Sequence, residues 1–155
     1  MKYFMDTEFM ESGPHKSIDL ISIGIVDEGG KEFYRISSEY DPKLANAWVI
    51  VNVLPLIGTD QKFPLKSIAA DIQKFVTDPK PEFWGYYADY DWVVFCQIFG
   101  TMLDLPSGWP MYCKDVKQYA SYLGNPQLPS QDSKEHNALA DARWTKKAYE
   151  YLAIL

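Results

Sequence analysis

At 155 residues, with 47% hydrophobic and 15% aromatic content, the chain suits one domain around a single core and is too apolar to be disordered. No apolar run is long enough to span a bilayer, and Met1-Lys2-Tyr3-Phe4-Met5-Asp6 meets an acid at once with no small-residue cleavage site. Neither a membrane protein nor a secreted precursor is expected, and a cytoplasmic location is. The net charge of −6 and the pI of about 4.8 argue against a broad basic surface for duplex DNA. That charge is uneven: residues 1–109 carry 9 basic and 16 acidic side chains, residues 110–155 carry 6 and 5. An acidic enzyme whose carboxylates gather divalent cations would offset part of the excess and still hold a single-stranded phosphate chain. Cys96 and Cys113 lack metal-site spacing and read as buried free thiols, with their pairing left open.

Residues 2–9 read as a first strand, followed by a turn at Gly13-Pro14-His15. Ile18 to Val26 is β-branched and mostly apolar, as a central strand is. Asp27-Glu28-Gly29-Gly30 is a hairpin turn, and Lys31 to Tyr40 returns as a third strand. The period then changes. Pro42 to Leu54 reads as helical, and Pro64 to Val76 as an amphipathic helix with Leu65, Ile68, Ala69, Ile72, Phe75 and Val76 on its apolar face. Glu82 to Tyr87 is a short strand, Tyr90 to Phe99 a helix ending at Gly100, and Trp109 to Cys113 a last strand. Asp115 to Leu123 is a helix stopped by Gly124, Asn125 to Glu135 a loop, and Asn137 to Leu152 a final helix. A three-stranded antiparallel meander followed by two further strands alternating with helices implies an α/β fold, a mixed sheet flanked by helices, over 1–155 as a single domain.

Asp6 and Glu8 are the first chemical signal. Strand side chains alternate, so both carboxylates point to one side of an otherwise buried run, Tyr3 to Phe9. Two adjacent charges on a half-buried strand are costly unless neutralised, and hard cations such as Mg²⁺ or Mn²⁺ neutralise carboxylates well. On its own the pair reads as a strand end turning toward solvent; its partners change that. Asp91 lies where the fourth strand passes into a helix, and Asp141 on the last helix. His136 precedes Asp141 by five residues, about 500° on a continuous helix, so it belongs to the loop end and not to Asp141's helical face. Asp89, two residues from Asp91, is a competing acid whose expected role is a helix cap.

These residues resemble the DEDDh branch of the DnaQ-like 3′–5′ exonucleases. The first motif matches Phe4-Met5-Asp6-Thr7-Glu8-Phe9, the second Tyr87-Ala88-Asp89-Tyr90-Asp91-Trp92, and the third His136-Asn137-Ala138-Leu139-Ala140-Asp141-Ala142, a His-x-Ala-x-x-Asp pattern. The resemblance covers nearly the whole chain and is nearest to compact single-domain bacterial and phage exoribonucleases, which share the Leu20-Ile21-Ser22-Ile23-Gly24 strand and the Tyr90 to Gln97 stretch. The second motif departs from relatives that place Asn-Ala before the acid.

The resemblance implies a ribonuclease-H-like sheet and hydrolysis of single-stranded RNA from its 3′ end to nucleoside 5′-monophosphates. It implies two ions, Mg²⁺ or Mn²⁺, held by Asp6, Glu8, Asp91 and Asp141, with His136 as general base. Thr7 and Phe9 are expected at the 3′-terminal sugar and base, and a homodimer is expected by resemblance alone. Lys114, Lys134, Arg143, Lys146 and Lys147 are candidates for phosphate contact. Trp84, Tyr86, Tyr87 and Trp92 form an aromatic cluster, mostly core, of which one member could line the substrate groove. The alternatives are a DNA exonuclease, a catalytically idle nucleic-acid-binding module and a ribonuclease-H-like endonuclease.

Overall fold

A computed structural model describes residues 1–131 and 135–155. Among these, six strands form one sheet in the order β4 (Lys62–Phe63), β3 (Glu32–Ser37), β2 (Ile18–Asp27), β1 (Lys2–Glu11), β5 (Glu82–Gly85) and β6 (Lys114–Asp115). Strands β1 (Lys2–Glu11), β2 (Ile18–Asp27) and β3 (Glu32–Ser37) make the expected antiparallel meander. Strand β5 (Glu82–Gly85) pairs parallel with β1, and β6 (Lys114–Asp115) parallel with β5. Strand β2 is buried from Leu20 to Val26 because helices cover both faces of the sheet.

Side-chain alternation along β1 sorts the two faces. Tyr3 and Met5 join Ile68, Ile72 and Phe75 of α2 (Leu65–Phe75) and Phe95 of α3 (Asp89–Phe99) in the larger core. Phe4 packs on the other face with Val116 and Ala120 of α4 (Val116–Tyr122) and Ala148 and Leu152 of α5 (Ala138–Leu152). A third cluster packs Ile21 and Ile36 against Val49 and Val53, from and just after α1 (Ala47–Asn52). The parity of Phe4 therefore sends Asp6 and Glu8 toward the α5 face.

Several expectations are corrected. Residues 42–54 are not one helix. Asp41 caps a 3₁₀ turn at Pro42–Leu44, the chain extends at Ala45, and Asn46 caps the separate α1 by accepting from the Val49 N–H at 2.9 Å. A second 3₁₀ turn, Leu54–Leu56, carries Pro55. Strand β4 (Lys62–Phe63), parallel to β3, is too short to give a sequence period. The last strand is Lys114–Asp115 and not Trp109 to Cys113, since Trp109 packs instead on Phe83, Phe95 and Phe99. Asp89 does not cap α3. Ala88 takes that position without a side-chain bond, and Asp89 is an exposed first-turn acid. The two cysteines are free.

Candidate active site

Strand β1 supplies two acids from one face. Asp6 lies opposite Gly24 on β2, and Glu8 opposite Ser22. A bulge follows between Glu8 and Phe9 and bends the strand end. Gly24 is where α5 meets the sheet: a Cβ there would lie 2.4 Å from the Ala138 carbonyl oxygen and 2.5 Å from the Leu139 Cα. The missing side chain lets the first turn of α5, which carries Asp141, press onto β2 beside Asp6.

Asp91 arrives from the opposite face. Gly85 ends β5, and a Cβ on it would lie 2.6 Å from the Ala88 Cβ, so the β5–α3 turn folds tightly back on the strand. Asp115 fixes that turn, accepting from the Ala88 N–H at 2.7 Å with one oxygen while capping α4 through Gln118 with the other. Asp91 is only 7% exposed and accepts from both the backbone N–H of Thr7 (2.8 Å) and its hydroxyl (2.6 Å). Thr7 thereby spends both of its donors on holding an acid at the strand end.

His136 sits in the turn ahead of α5, where Asn137 is the cap. Its backbone N–H donates to Asp141 Oδ2 at 2.9 Å, and its ring meets Trp48 edge-on at 4.9 Å between centroids. Gln131 donates to the other Asp141 oxygen. Asn137 works in two directions: its carbonyl accepts from the Ala140 N–H at 3.1 Å, and its amide donates to the Leu56 carbonyl at 2.9 Å. The 3₁₀ turn after α1 is thus tied to the corner that carries His136. Sequence reasoning missed Trp48, Gln131 and Asn137; only Asn137, a cap residue before an apolar run, had a local signal.

The acids share one electrostatic environment. Burial first, then the charges of Asp91, Glu8 and Asp141, pushes the Asp6 carboxyl well above the usual carboxylate range. Burial and the charges of Asp141 and Asp91 raise Glu8 to about 8. Burial lifts Asp91 to about 6 against the two Thr7 hydrogen bonds, and Asp141 to about 6 against the His136 and Gln131 contacts. Ligand atoms of Glu8, His136 and Asp141 lie within 4.8 Å of one another. The buried Ser22 hydroxyl, opposite Glu8, has no hydrogen-bond partner among the described residues. Converging carboxylates that resist ionisation together, beside an orphaned hydroxyl, fit the demand of a divalent cation for oxygen donors.

Phe9 and Tyr90 stack at 5.7 Å with a 7° interplanar angle, one ring after Glu8 in sequence and the other before Asp91. Trp84 and Trp92 are buried, whereas Tyr86 is half-buried and Tyr87 is 64% exposed. Of the basic candidates, Lys114 pairs with Glu82, Arg143 with Glu32 in a two-pronged bond, and Lys146 with Glu150. Lys147 has no ion pair among the described residues, and Lys134 lies outside them. No described helix is long and apolar enough to cross a membrane. A cavity of about 210 Å³ between β2 and α3, lined by Ile18, Leu20, Tyr40, Val94 and Ile98, includes none of Asp6, Glu8, Asp91 and Asp141.

Solved structures share this fold. Exonuclease I superposes with a TM-score of 0.64 at 19% identity over 98% of this chain. The zinc-bound form of the E. coli exonuclease I complex with single-stranded DNA gives 0.63 at 17% over 97%. Both likenesses show the ribonuclease-H-like exonuclease fold, and this chain spans 40% of each of those chains. The family described as the 3′-5′ exoribonuclease Rv2179c-like domain matches residues 1–153, and the chain belongs to it. A curated relative from Mycobacterium tuberculosis strain H37Rv, 3′-5′ exoribonuclease Rv2179c, is 39% identical over 92% of this chain and 88% of its own length. The strain CDC 1551 relative, 3′-5′ exoribonuclease MT2234.1, matches equally. The chain is a 3′–5′ exonuclease.

Proposed function

We propose that the chain is a DEDDh exoribonuclease that removes nucleoside 5′-monophosphates from the 3′ end of single-stranded RNA. The observation that carries this reading is the convergence of Asp6, Glu8, Asp91 and Asp141 around the strand end with His136 at its rim. The substrate assignment follows the names of the mycobacterial relatives. The free thiols suit a reducing compartment such as the cytoplasm.

The four carboxylates would hold divalent cations, Mg²⁺ or Mn²⁺, which when bound neutralise the phosphate and stabilise charge on the leaving oxygen. The protein's own groups do the rest. Asp6 and Glu8 stand on a rigid central strand, so their spacing is fixed before substrate arrives. Thr7 holds Asp91 through two hydrogen bonds. His136, at the loop end, takes the proton of the attacking water as its oxygen bonds to phosphorus. The bond from phosphorus to the upstream 3′ oxygen breaks, and that oxygen takes a proton from solvent, leaving a shortened strand with a 3′ hydroxyl. Phe9, backed by Tyr90, offers an aromatic face to the terminal base.

The test is digestion of 5′-labelled RNA and DNA with Mg²⁺ or Mn²⁺. A ladder shortening stepwise from the 3′ end, faster on RNA, is expected. Faster loss of DNA would reassign the substrate, and internal cuts on a 3′-blocked strand would reassign the reaction to an endonuclease. Asp6→Ala should abolish turnover. His136→Ala should lose about 10²–10⁴-fold in kcat while metal and strand still bind, and unchanged turnover would remove it as the base.

A further inference from the structure

Tyr87 is exposed to 64% and holds φ at +55°, a left-handed conformation that an aromatic side chain rarely adopts. Among the described residues, three other non-glycine residues share positive φ: His15, Asn125 and His136. Histidine and asparagine enter that region several times more readily than a bulky ring does. Strain of this kind persists where the surrounding structure enforces it, and it gathers at binding sites. Here the enforcement is visible. Gly85 and Ala88 close the β5–α3 turn tightly, and the Ala88 N–H is bound to Asp115, so the intervening Tyr86 and Tyr87 have little freedom.

The turn does not simply discard the ring into solvent. Tyr87 meets Tyr86 at 4.8 Å and 71°, and Tyr86 meets Trp144 at 4.8 Å and 85°. Trp144 is anchored in turn, its indole N–H donating to the Pro129 carbonyl at 2.9 Å. An outer ring propped by two inner ones, the last pinned, is a stiff stacking surface with little conformational entropy left to lose. Its place is equally specific. Tyr87 follows β5, whose pairing sets Trp84 beside Phe4 of β1, and Trp144 is one helical turn after Asp141, so the file of rings lies near the strand end and the helix that carry the acids. Phe9 and Tyr90 form a separate aromatic pair, next in sequence to Glu8 and Asp91.

We infer that Tyr87, propped by Tyr86 and Trp144, is a stacking platform for an unpaired base upstream of the phosphate being cut. This rests on the reading of the chain as a nuclease for single strands. Such a platform tolerates every base, since each has a π face, and it engages the strand and not the reacting phosphate.

Tyr87→Gly tests it cleanly, because glycine adopts φ +55° without strain and the variant should fold at least as stably. On a short 5′-labelled RNA, KM should rise about five- to a hundred-fold with kcat unchanged, and Tyr87→Phe should behave as the parent. The same RNA carrying one abasic residue at successive upstream positions locates the contact. At one position, loss of the base should raise KM for the parent and add nothing to Tyr87→Gly. An unchanged KM, a fall in kcat alone, or a Tyr87→Gly effect that persists on every abasic strand would overturn the platform. If the parent cleaves neither RNA nor DNA, the nuclease reading fails separately. The platform is then judged by equilibrium binding of a fluorescent single strand, where equal affinity of parent and Tyr87→Gly, or no binding by either, overturns it.

Discussion

Gly24 and Ala138 are in backbone-to-backbone contact: a single added methyl on Gly24 would fall 2.4 Å from the Ala138 carbonyl oxygen. Gly24 pairs with Asp6, and Ala138 opens the helix that bears Asp141, so this contact sets how closely the two acids approach. Gly24→Ala should force α5 outward. We expect a loss of about 1–3 kcal/mol in stability, as for other overpacked sites, and at least about a hundred-fold in kcat from acids misplaced by an ångström. Chemical denaturation and single-turnover assays read the two effects. Full activity in a folded Gly24→Ala protein would show that the close approach is dispensable.

Burial of the acids, reinforced at Asp6 and Glu8 by neighbouring carboxylates, should make the metal-free protein less stable than its core allows. Carboxyls raised in the folded state bind protons more tightly there than in the unfolded chain. Their contribution is therefore present at low pH and lost as pH rises through the folded values, about 6 for Asp91 and Asp141 and about 8 for Glu8. In EDTA, Tm should fall between pH 5 and pH 8, and saturating Mg²⁺ should flatten that slope. Glu8→Gln should raise Tm in EDTA at pH 8 while abolishing the rise with Mg²⁺. A pH-independent Tm in EDTA would contradict the raised pKa values of these buried acids.

Thr7 holds Asp91 by a backbone and a side-chain bond, of which mutation can remove one. Thr7→Val should cost about 1.5–3 kcal/mol, the range for a hydrogen bond to a charged acceptor, and lower kcat more than it raises KM. Thr7→Ser keeps the hydroxyl and should restore most of both. Equal activity of Val and Ser at this position would show that the backbone bond suffices.

Asn137 separates two roles by substitution. Asn137→Asp keeps an acceptor for the α5 cap but loses the amide that holds the Leu56 carbonyl; Asn137→Ala loses both. Asn137→Ala should lose about 0.5–2 kcal/mol of stability and Asn137→Asp little, since aspartate caps as well as asparagine. If the tie to the 3₁₀ turn positions His136, both variants lose kcat alike. Activity that tracks stability would assign Asn137 to capping alone.

The strands of the meander and the helices at α2, α3 and α5 were legible because each has a local signature, alternation or 3.6-residue periodicity; Asp6 and Glu8 stood out as carboxylates where apolar residues were due, and Asp91, His136 and Asp141 by their place in motifs of resemblance. The break between residues 42 and 54 was masked by apolar residues on both sides of it, Leu44-Ala45 and Ala47 to Val51, although Asn46 marked it. Strands β4 and β6, of two residues each, are products of tertiary pairing and have no period to read. The contacts that orient the site, Thr7 to Asp91, Trp48 to His136 and Asn137 to Leu56, join residues far apart in the chain. The Gly85–Ala88 contact that fixes Tyr87 depends on a backbone turn and not on residue type alone.

Asp6 and Glu8 belong to the first strand, while His136 and Asp141 belong to the last helix and its approach. During synthesis these two groups leave the ribosome at opposite ends of the process. A nascent chain that has already paired β1 with β2 holds half of the acids and no imidazole among them. A fragment that ends before α5 therefore keeps Asp6 and Glu8 but lacks Asp141, one of the two groups that gather with Glu8.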